Sequence, residues 1–438
     1  MVTSFLFRDR PEVYKKVEAR YNARDPAAGR TVIVYFPTGA MNMNNRERAL
    51  AILNYQPYDR LPIVHFGFWN ETLARWADEG HITHELAQAW GDGNAADHAV
   101  GGKLGFDFNW YRVFGVYTNL LPPFERKVLE VLPDGTRKEV NSDGVVILQK
   151  DDATGIPTEI DHLFKGRKEW DELFKPRLLP DDKRIPRVPP EDPDAREPGD
   201  SFRARFRNYV REMIAEVERT DRDRPLGLMC GSLYGRIRDI VGMVNLAYLQ
   251  ADDPELFDEM IVTFADLCYW ATEKALEAFG DNWDFGHFWE DICFRSGPLV
   301  SPRVFRHKVG PHYRRITDLL NRRGIHLVSL DCDGKIDALI PTWIENGVNT
   351  MFPIEVGIWD ASIAPWREKY GRELRGVGGM NKKVFAYDYA AIDAEVERLK
   401  RLVDLGGYIP CPDHRIAPDA RWENVQYYCE RMRKALGG

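Results

Sequence analysis

Eight short apolar runs punctuate the chain: "LPIVHFGF" (61–68), "GFDFNWYRV" (105–113), "PLGLMCGSL" (225–233), "DFGHFWEDI" (284–292), "IHLVSLD" (325–331), "GVNTMFPIEV" (347–356), "LRGVGGM" (374–380) and "GGYIPCPD" (406–413). Longer amphipathic stretches separate the later ones, notably 301–324 and 389–406, the second closing on a glycine. The regular texture begins at "NNRERALAILNYQP" (44–57), with Asn44 or Asn45 as N-cap and Pro57 beyond the helix end. Strands that are apolar on both faces and alternate with helices are parallel βα units. Eight of them predict an α/β protein, a (β/α)8 TIM barrel rather than an open doubly wound sheet.

Three segments break the rhythm. "RKVLEVLPDGTRKEVNSDGVVILQKD" (126–151) alternates around two Asp-Gly pairs, which predicts an antiparallel β insertion. The Pro- and Asp-rich stretch 175–200 reads as a surface loop, so the insertion runs over about 126–200. Residues 1–42 form an N-terminal extension with a charged helix and the strand "TVIVYFP" (31–37), leaving 43–438 as the barrel.

Composition changes this picture little. The 438 residues are 44% hydrophobic and 12% aromatic, as a sizeable core requires, and the formal net charge is -8. Acids and bases are mixed along the chain, so neither nucleic acid nor an anionic membrane surface is the expected partner. Six scattered cysteines without CxxC pairs read as reduced thiols, most of them small core residues. No run reaches the roughly 18 apolar residues of a membrane span, and the start lacks the order of a secretory signal. The expected location is the cytoplasm, and a homodimer is allowed.

Chemistry in such a barrel sits where strands end. There the chain places Glu290 and Asp291, then Asp331-Cys332-Asp333-Gly334, Glu355, Asn381-Lys382, and Asp413-His414. The early strands add His65, Phe66 and Trp69, and "GSLYGRIRD" adds Tyr234, Arg236 and Arg238. A ring of carboxylates with one histidine and a few cations suits proton handling on a polar substrate. Each carboxylate has a plainer reading as a helix cap, and His287 and His326 read as hydrogen-bonded core residues. Side chains alternate along a strand, so Asp331 and Asp333 share a face and Cys332 takes the other.

"NNRERALAILNYQPYDRLPIVHFG", "GPLVSPRVF", "DCDGKIDALIPTWIENGVNTMFPIEV", "GVGGMNKKVFA" and "GGYIPCPDHRIAPDARWENV" together resemble the uroporphyrinogen decarboxylase superfamily over about 45–435. That resemblance implies the barrel independently, and one of two chemistries: decarboxylation of a porphyrinogen, or methyl transfer to or from a corrinoid (cobalamin) cofactor. The decarboxylases carry an arginine-rich motif after the first strand, where this chain has "HFGFWNETLARW" (65–76) without paired arginines. The zinc-dependent methyltransferases use a His-x-Cys on the fifth strand and a Cys on the eighth. Here Cys332 and His414 are the surviving candidate ligands, with Asp331 or Glu355 as a third, and the incomplete set leaves zinc less expected than its absence.

The nearest match is the superfamily's branch with "DxDG" on the fifth strand and "PDH" on the eighth. The resemblance implies a methyltransferase whose corrinoid comes free or on a partner protein, since the chain has no "DxHxxG" motif. In that reading Glu290, Asp331, Asp333 and His414 manage the proton on the accepting or leaving atom of a small-molecule or folate-type substrate. Arg238 and Lys382 hold substrate carboxylates, Phe66 and Trp69 stack on a flat ring, and His65, Tyr234, Glu355 and Asp413 complete the pocket. The rivals are a decarboxylase of a porphyrinogen or other aromatic acid, requiring several of Arg75, Arg112, Arg236, Arg238 and Arg295 in the mouth, and a non-catalytic corrinoid- or porphyrin-binding barrel.

Overall fold

Each of the eight apolar runs contains β-strand. The computed structural model describes residues 42–150, 157–188 and 202–437, within the compact unit Asn44–Gly438 apart from two leading residues. The extension's expected helix and strand lie outside the described residues, as does part of the 175–200 loop. The strands from the apolar runs are β1 (Val64–His65), β2 (Phe108–Asn109), β3 (Val113–Phe114), β8 (Gly227–Gly231), β9 (Phe285–Trp289), β12 (Val328–Asp331), β13 (Thr350–Phe352), β14 (Arg375–Met380) and β15 (Tyr408–Pro412). Seven make one parallel sheet, in the order β15-β14-β13-β12-β9-β8-β3. Most residues of these strands are buried, as a sheet covered on both faces requires.

Beyond the two edges of that sheet the chain continues to pair. β1 and β2 are parallel, Val64 opposite Phe108 and His65 opposite Asn109. Past β1, Phe68 bridges Ile416 in parallel fashion, and the N–H of Trp69 donates to the Ile416 carbonyl at 3.1 Å. Because neighbouring strands run the same way and nearly in register, their C-terminal ends collect on one side. The amide of Glu290 donates to the Asp331 carbonyl at 2.8 Å, that of Cys332 to Phe352 at 3.1 Å, and that of Asp413 to Met380 at 2.8 Å.

The insertion is a four-stranded antiparallel sheet, β4 (Lys127–Val131), β5 (Arg137–Val140), β6 (Val145–Gln149) and β7 (Thr158–His162), in that order. Its first two turns fall on the expected pairs, with Gly135 at φ 84° and Gly144 at φ 79°. The fourth strand lies beyond the expected end at 151. An ion pair of 2.6 Å from Asp143 to Arg236 ties the sheet to the helix Gly235–Val241. A small antiparallel pair, β10 (Cys293–Phe294) with β11 (Gly297–Pro298), follows β9.

Capping chemistry places the helices. Asn44 accepts from the Glu47 amide at 2.9 Å and Glu47 returns the bond at 2.8 Å, a reciprocal cap for Asn45–Leu53. The helix expected over 301–324 is broken into Pro302–Val304, a π turn Phe305–Val309 and Gly310–Arg322. Pro311 has no N–H to give the preceding turn, so the regular ladder cannot pass it. The helix Tyr389–Val403 forms as its pattern predicts, started by Asp388 accepting from Ala391.

Candidate active site

The loop after β12 carries the largest share of the strand-end polar groups. Asp331 is 6% exposed, and Asp333 and Asp291 are close enough to raise its affinity for a proton. Burial first, then those two charges, push its carboxyl well above the usual range. The Tyr111 hydroxyl is held protonated by burial and by the nearby Asp331 charge. Asp333 meets His414 across the mouth, Nε2 to Oδ2 at 3.4 Å. Oδ1 of Asp333 and Nδ1 of His414 are buried without a hydrogen-bond partner among the described residues. Gly334, at φ 83°, turns the chain so tightly that a Cβ there would sit 2.4 Å from the Cys293 carbonyl oxygen.

A second layer of groups surrounds this pair. Glu355 accepts from the Gly334 amide at 2.6 Å, and burial followed by the Asp333 charge pushes it up to about 7. Lys382 donates to the Arg415 carbonyl at 3.0 Å, and its ammonium is lowered by burial against the pull of Asp413, Asp333 and Glu355. Asp291, in a left-handed conformation at φ 29°, pairs with Arg238 at 2.7 Å. Arg415 forks onto Asp92 with bonds of 3.1 and 2.6 Å and lies over the rings of Phe66, Trp90 and Tyr111. Trp69 stacks on His414 with centroids 5.6 Å apart and planes 16° apart, and Phe66 meets the same imidazole edge-on at 5.6 Å.

The structure therefore brings together Asp331, Asp333, His414, Glu355, Lys382, Arg238, Phe66 and Trp69. It places four other expected residues elsewhere. Glu290 is fully buried and accepts from the amides of Leu233, Tyr234 and Gly235 at 2.8, 3.0 and 2.8 Å, from Ser232 at 3.2 Å, and from Tyr313. Its carboxylate pins the start of the helix Gly235–Val241, with no lone pair left over for a substrate. Asp413 is spent in the same way on the amides of Val356, Gly357 and Lys382. Tyr234 is buried against Phe257 and Phe305. His65 accepts from the Gly67 amide at 3.0 Å and packs on Phe68 and Phe106, its pKa lowered to about 3 by burial.

The zinc set does not assemble. The Cys332 thiol is buried, donates to the Asp333 carbonyl at 3.5 Å and lies near Cys293, with burial pushing its pKa up. Among the described residues no group of three or more His, Cys, Asp or Glu side chains is arranged to hold a metal ion. Cys332 and His414 therefore do not fit zinc, and no step below runs through it. The arginine clamp does not assemble either. Arg75 binds the Ala420 carbonyl, Arg112 pairs with Glu216 at 2.6 Å, Arg236 with Asp143 and Asp239, and Arg295 is exposed. Only Arg238 of the five reaches a carboxylate of the mouth.

Arg415, Asp92 and Tyr111 were not legible as site residues. Arg415 follows His414 directly, and that adjacency was the only available signal. His326 is exposed and bonded to Asn321 at 2.9 Å, not in the core. No helix among the described residues is long and apolar enough to cross a membrane.

No protein-family model and no curated protein matches the sequence. Among solved structures the fold is similar to that of a methyltransferase from Methanosarcina mazei, with TM-score 0.56 and 16% identity over 90% of this chain and 99% of that one. Two weaker likenesses are a vitamin-B12-independent methionine synthase-type protein from Listeria monocytogenes (TM-score 0.32, 16% identity, 52% of this chain and 68% of that one) and a B12-independent methionine synthase from a Shewanella species (0.31, 14%, 51% and 67%). The last two are too distant to bear on the fold.

Proposed function

We propose that the chain is a methyltransferase of the uroporphyrinogen decarboxylase superfamily, on its "DxDG" branch, and that it moves a methyl group between a corrinoid and a small-molecule or folate-type substrate at the strand-end mouth. The pairing of β1 with β2 and the Phe68–Ile416 bridge support a sheet that closes into an eight-stranded barrel. Residues 1–42 would be an extension to it. The corrinoid enters as a substrate, free or carried by a partner protein.

The observation that carries this reading is the meeting of Asp333 and His414 from two strand ends beside the buried Asp331, under the ring of Trp69. Transfer of a methyl group between cobalt and a heteroatom is a direct displacement, so the protein contributes orientation and proton control. The heteroatom loses a proton when it accepts the methyl group and gains one when it leaves. Asp333 and His414 each keep one buried polar atom without a partner among the described residues, so both have bonding capacity for that atom. Glu355, half-ionised near neutral pH and bonded to the Gly334 amide, can pass the proton onward. Trp69 and Phe66 hold His414 from two sides and fix its ring plane. Arg415, locked on Asp92, supports the ring of Tyr111.

Decarboxylation of a polycarboxylic porphyrinogen is the weaker reading, because the mouth is rich in acids and its cations are committed. The test is anaerobic mixing of the full chain with methylcob(III)alamin and a panel of tetrahydrofolate and thiols, followed by the corrinoid spectrum. Protein-dependent loss of the methyl–cobalt band with one acceptor supports the proposal. No loss with any acceptor, and no methylation of cob(I)alamin from the methylated forms, contradicts it.

A further inference from the structure

His287 is 0% exposed, yet neither of its ring nitrogens has a hydrogen-bond partner among the described residues. An imidazole buried this way forfeits roughly 1–3 kcal/mol per unsatisfied polar group. Buried polar groups are paired as a rule, so each exception asks for an unseen partner. The surroundings indicate where that partner would come from. Tyr111 meets the His287 ring edge-on at 5.2 Å and 89°, and Phe352 lies 6.2 Å away. Phe352 touches Phe66 at 4.4 Å, and Phe66 touches His414. One aromatic wall thus runs from the rim of the mouth to His287. In the β9–β12 pairing Asp331 stands opposite Trp289 and Ser329 opposite His287. His287 is therefore two residues, about 6.6 Å, deeper than Asp331.

We infer that His287 is the deep end of the substrate subsite and receives a neutral hydrogen-bonding substituent, a phenol-type hydroxyl, on a flat aromatic substrate whose other end faces Asp331 and Asp333. This rests on the reading of the mouth as the substrate site and names the class of molecule it takes. A single six-membered ring with one substituent spans the interval between the two levels. The imidazole stays neutral, its pKa lowered to about 3 by burial, so it offers one donor and one acceptor and no charge. A hydroxyl uses both; a carboxylate would bring a second negative charge beneath the buried Asp331, whose nearby Arg415 is already paired with Asp92.

The experiment is calorimetric titration of the full chain and of His287→Phe and His287→Gln with phenol, benzene and benzoate, beside thermal melts and the ¹⁵N spectrum of the imidazole. Phenol should bind wild type more tightly than benzene, and benzoate should bind least. His287→Phe should weaken phenol about 10- to 100-fold while changing benzene little, with a melting temperature no lower than wild type. His287→Gln should restore part of the loss, and phenol should shift the ¹⁵N signals of His287. The inference is overturned if phenol shows no saturable binding, if His287→Phe leaves its affinity unchanged, or if benzoate binds best. Methyl transfer that is equal in wild type and His287→Phe with every ring substrate would remove the subsite and leave the methyltransferase reading standing. His287-dependent phenol binding without methyl transfer would do the reverse.

Discussion

His414 reaches Asp333 at 3.4 Å from a strand end three strands away in the sheet, and each keeps one buried polar atom without a protein partner among the described residues. A pair in contact on one side, with an unbonded polar atom on each partner, is arranged for a third group. Asp333→Asn keeps the shape and removes the proton-accepting charge. Its expected effect is a fall in kcat of about 10²–10⁴-fold with KM changed little. Steady-state kinetics with the melting temperature as a folding control checks it.

Glu355 sets the pH dependence. It is protonated below about 7 and ionised above. The rate of methyl removal from a leaving heteroatom should fall as pH rises through 7, and methylation of an acceptor should rise. Glu355→Gln should take that inflection out of both profiles.

The same residue makes a stability prediction with a definite sign. Its folded-state pKa is raised, so its contribution to stability is fully present below about 4.5 and lost as pH rises through about 7. Glu355→Gln should match wild type in urea unfolding near pH 4 and exceed it by roughly 1–3 kcal/mol near pH 8. Equal stability at both pH values would rule the assignment out.

Glu290 should behave as a structural anchor. Removing its charge leaves the amides of Leu233, Tyr234 and Gly235 facing a neutral group at the start of the Gly235–Val241 helix. Glu290→Gln should destabilise by about 1–3 kcal/mol, since the new amide N–H group faces donors it cannot accept from. The activity per folded molecule should stay within a few-fold of wild type. A large loss of kcat at unchanged stability would return Glu290 to the chemistry.

Gly67 lies under the Arg415–Asp92 pair. At φ 77° it is in a region that disfavours side chains, and a Cβ would sit 2.8 Å from both Arg415 Nη1 and Asp92 Oδ1. Gly67→Ala should cost about 1–3 kcal/mol and, by displacing Arg415 from Tyr111, lower kcat. Differential scanning calorimetry paired with kinetics measures both.

The strands and their order of use were legible because period and burial write themselves into residue type: Val, Ile and Leu in short runs, and Gly or Pro at their ends. Strand parity predicts faces only as far as Asp331, where β12 ends; Cys332 and Asp333 lie in the turn that Gly334 makes. What failed was the distinction between a carboxylate that caps backbone and one that faces the mouth. Glu290, Asp413, Asp331 and Asp333 have the same chemistry and the same position at strand ends. Only the path of the neighbouring loops decides which of them meets amides. Asp92 lies in the turn "WGDG" and enters the site because Gly67 leaves room for its partner's guanidinium, a contact 25 residues away that no local pattern encodes. The expected helix over 301–324 overlooked Pro311, before which the chain makes a π turn.

The most direct measurement is single-turnover transfer of a ¹³C-labelled methyl group from methylcob(III)alamin to the acceptor, followed by NMR, in wild type and in Asp333→Asn of matched melting temperature. Label should appear on the acceptor's heteroatom with wild type and at least 100-fold more slowly with the variant. Equal transfer by both proteins, or none by wild type, would contradict the assignment of methyl chemistry to the Asp333–His414 mouth.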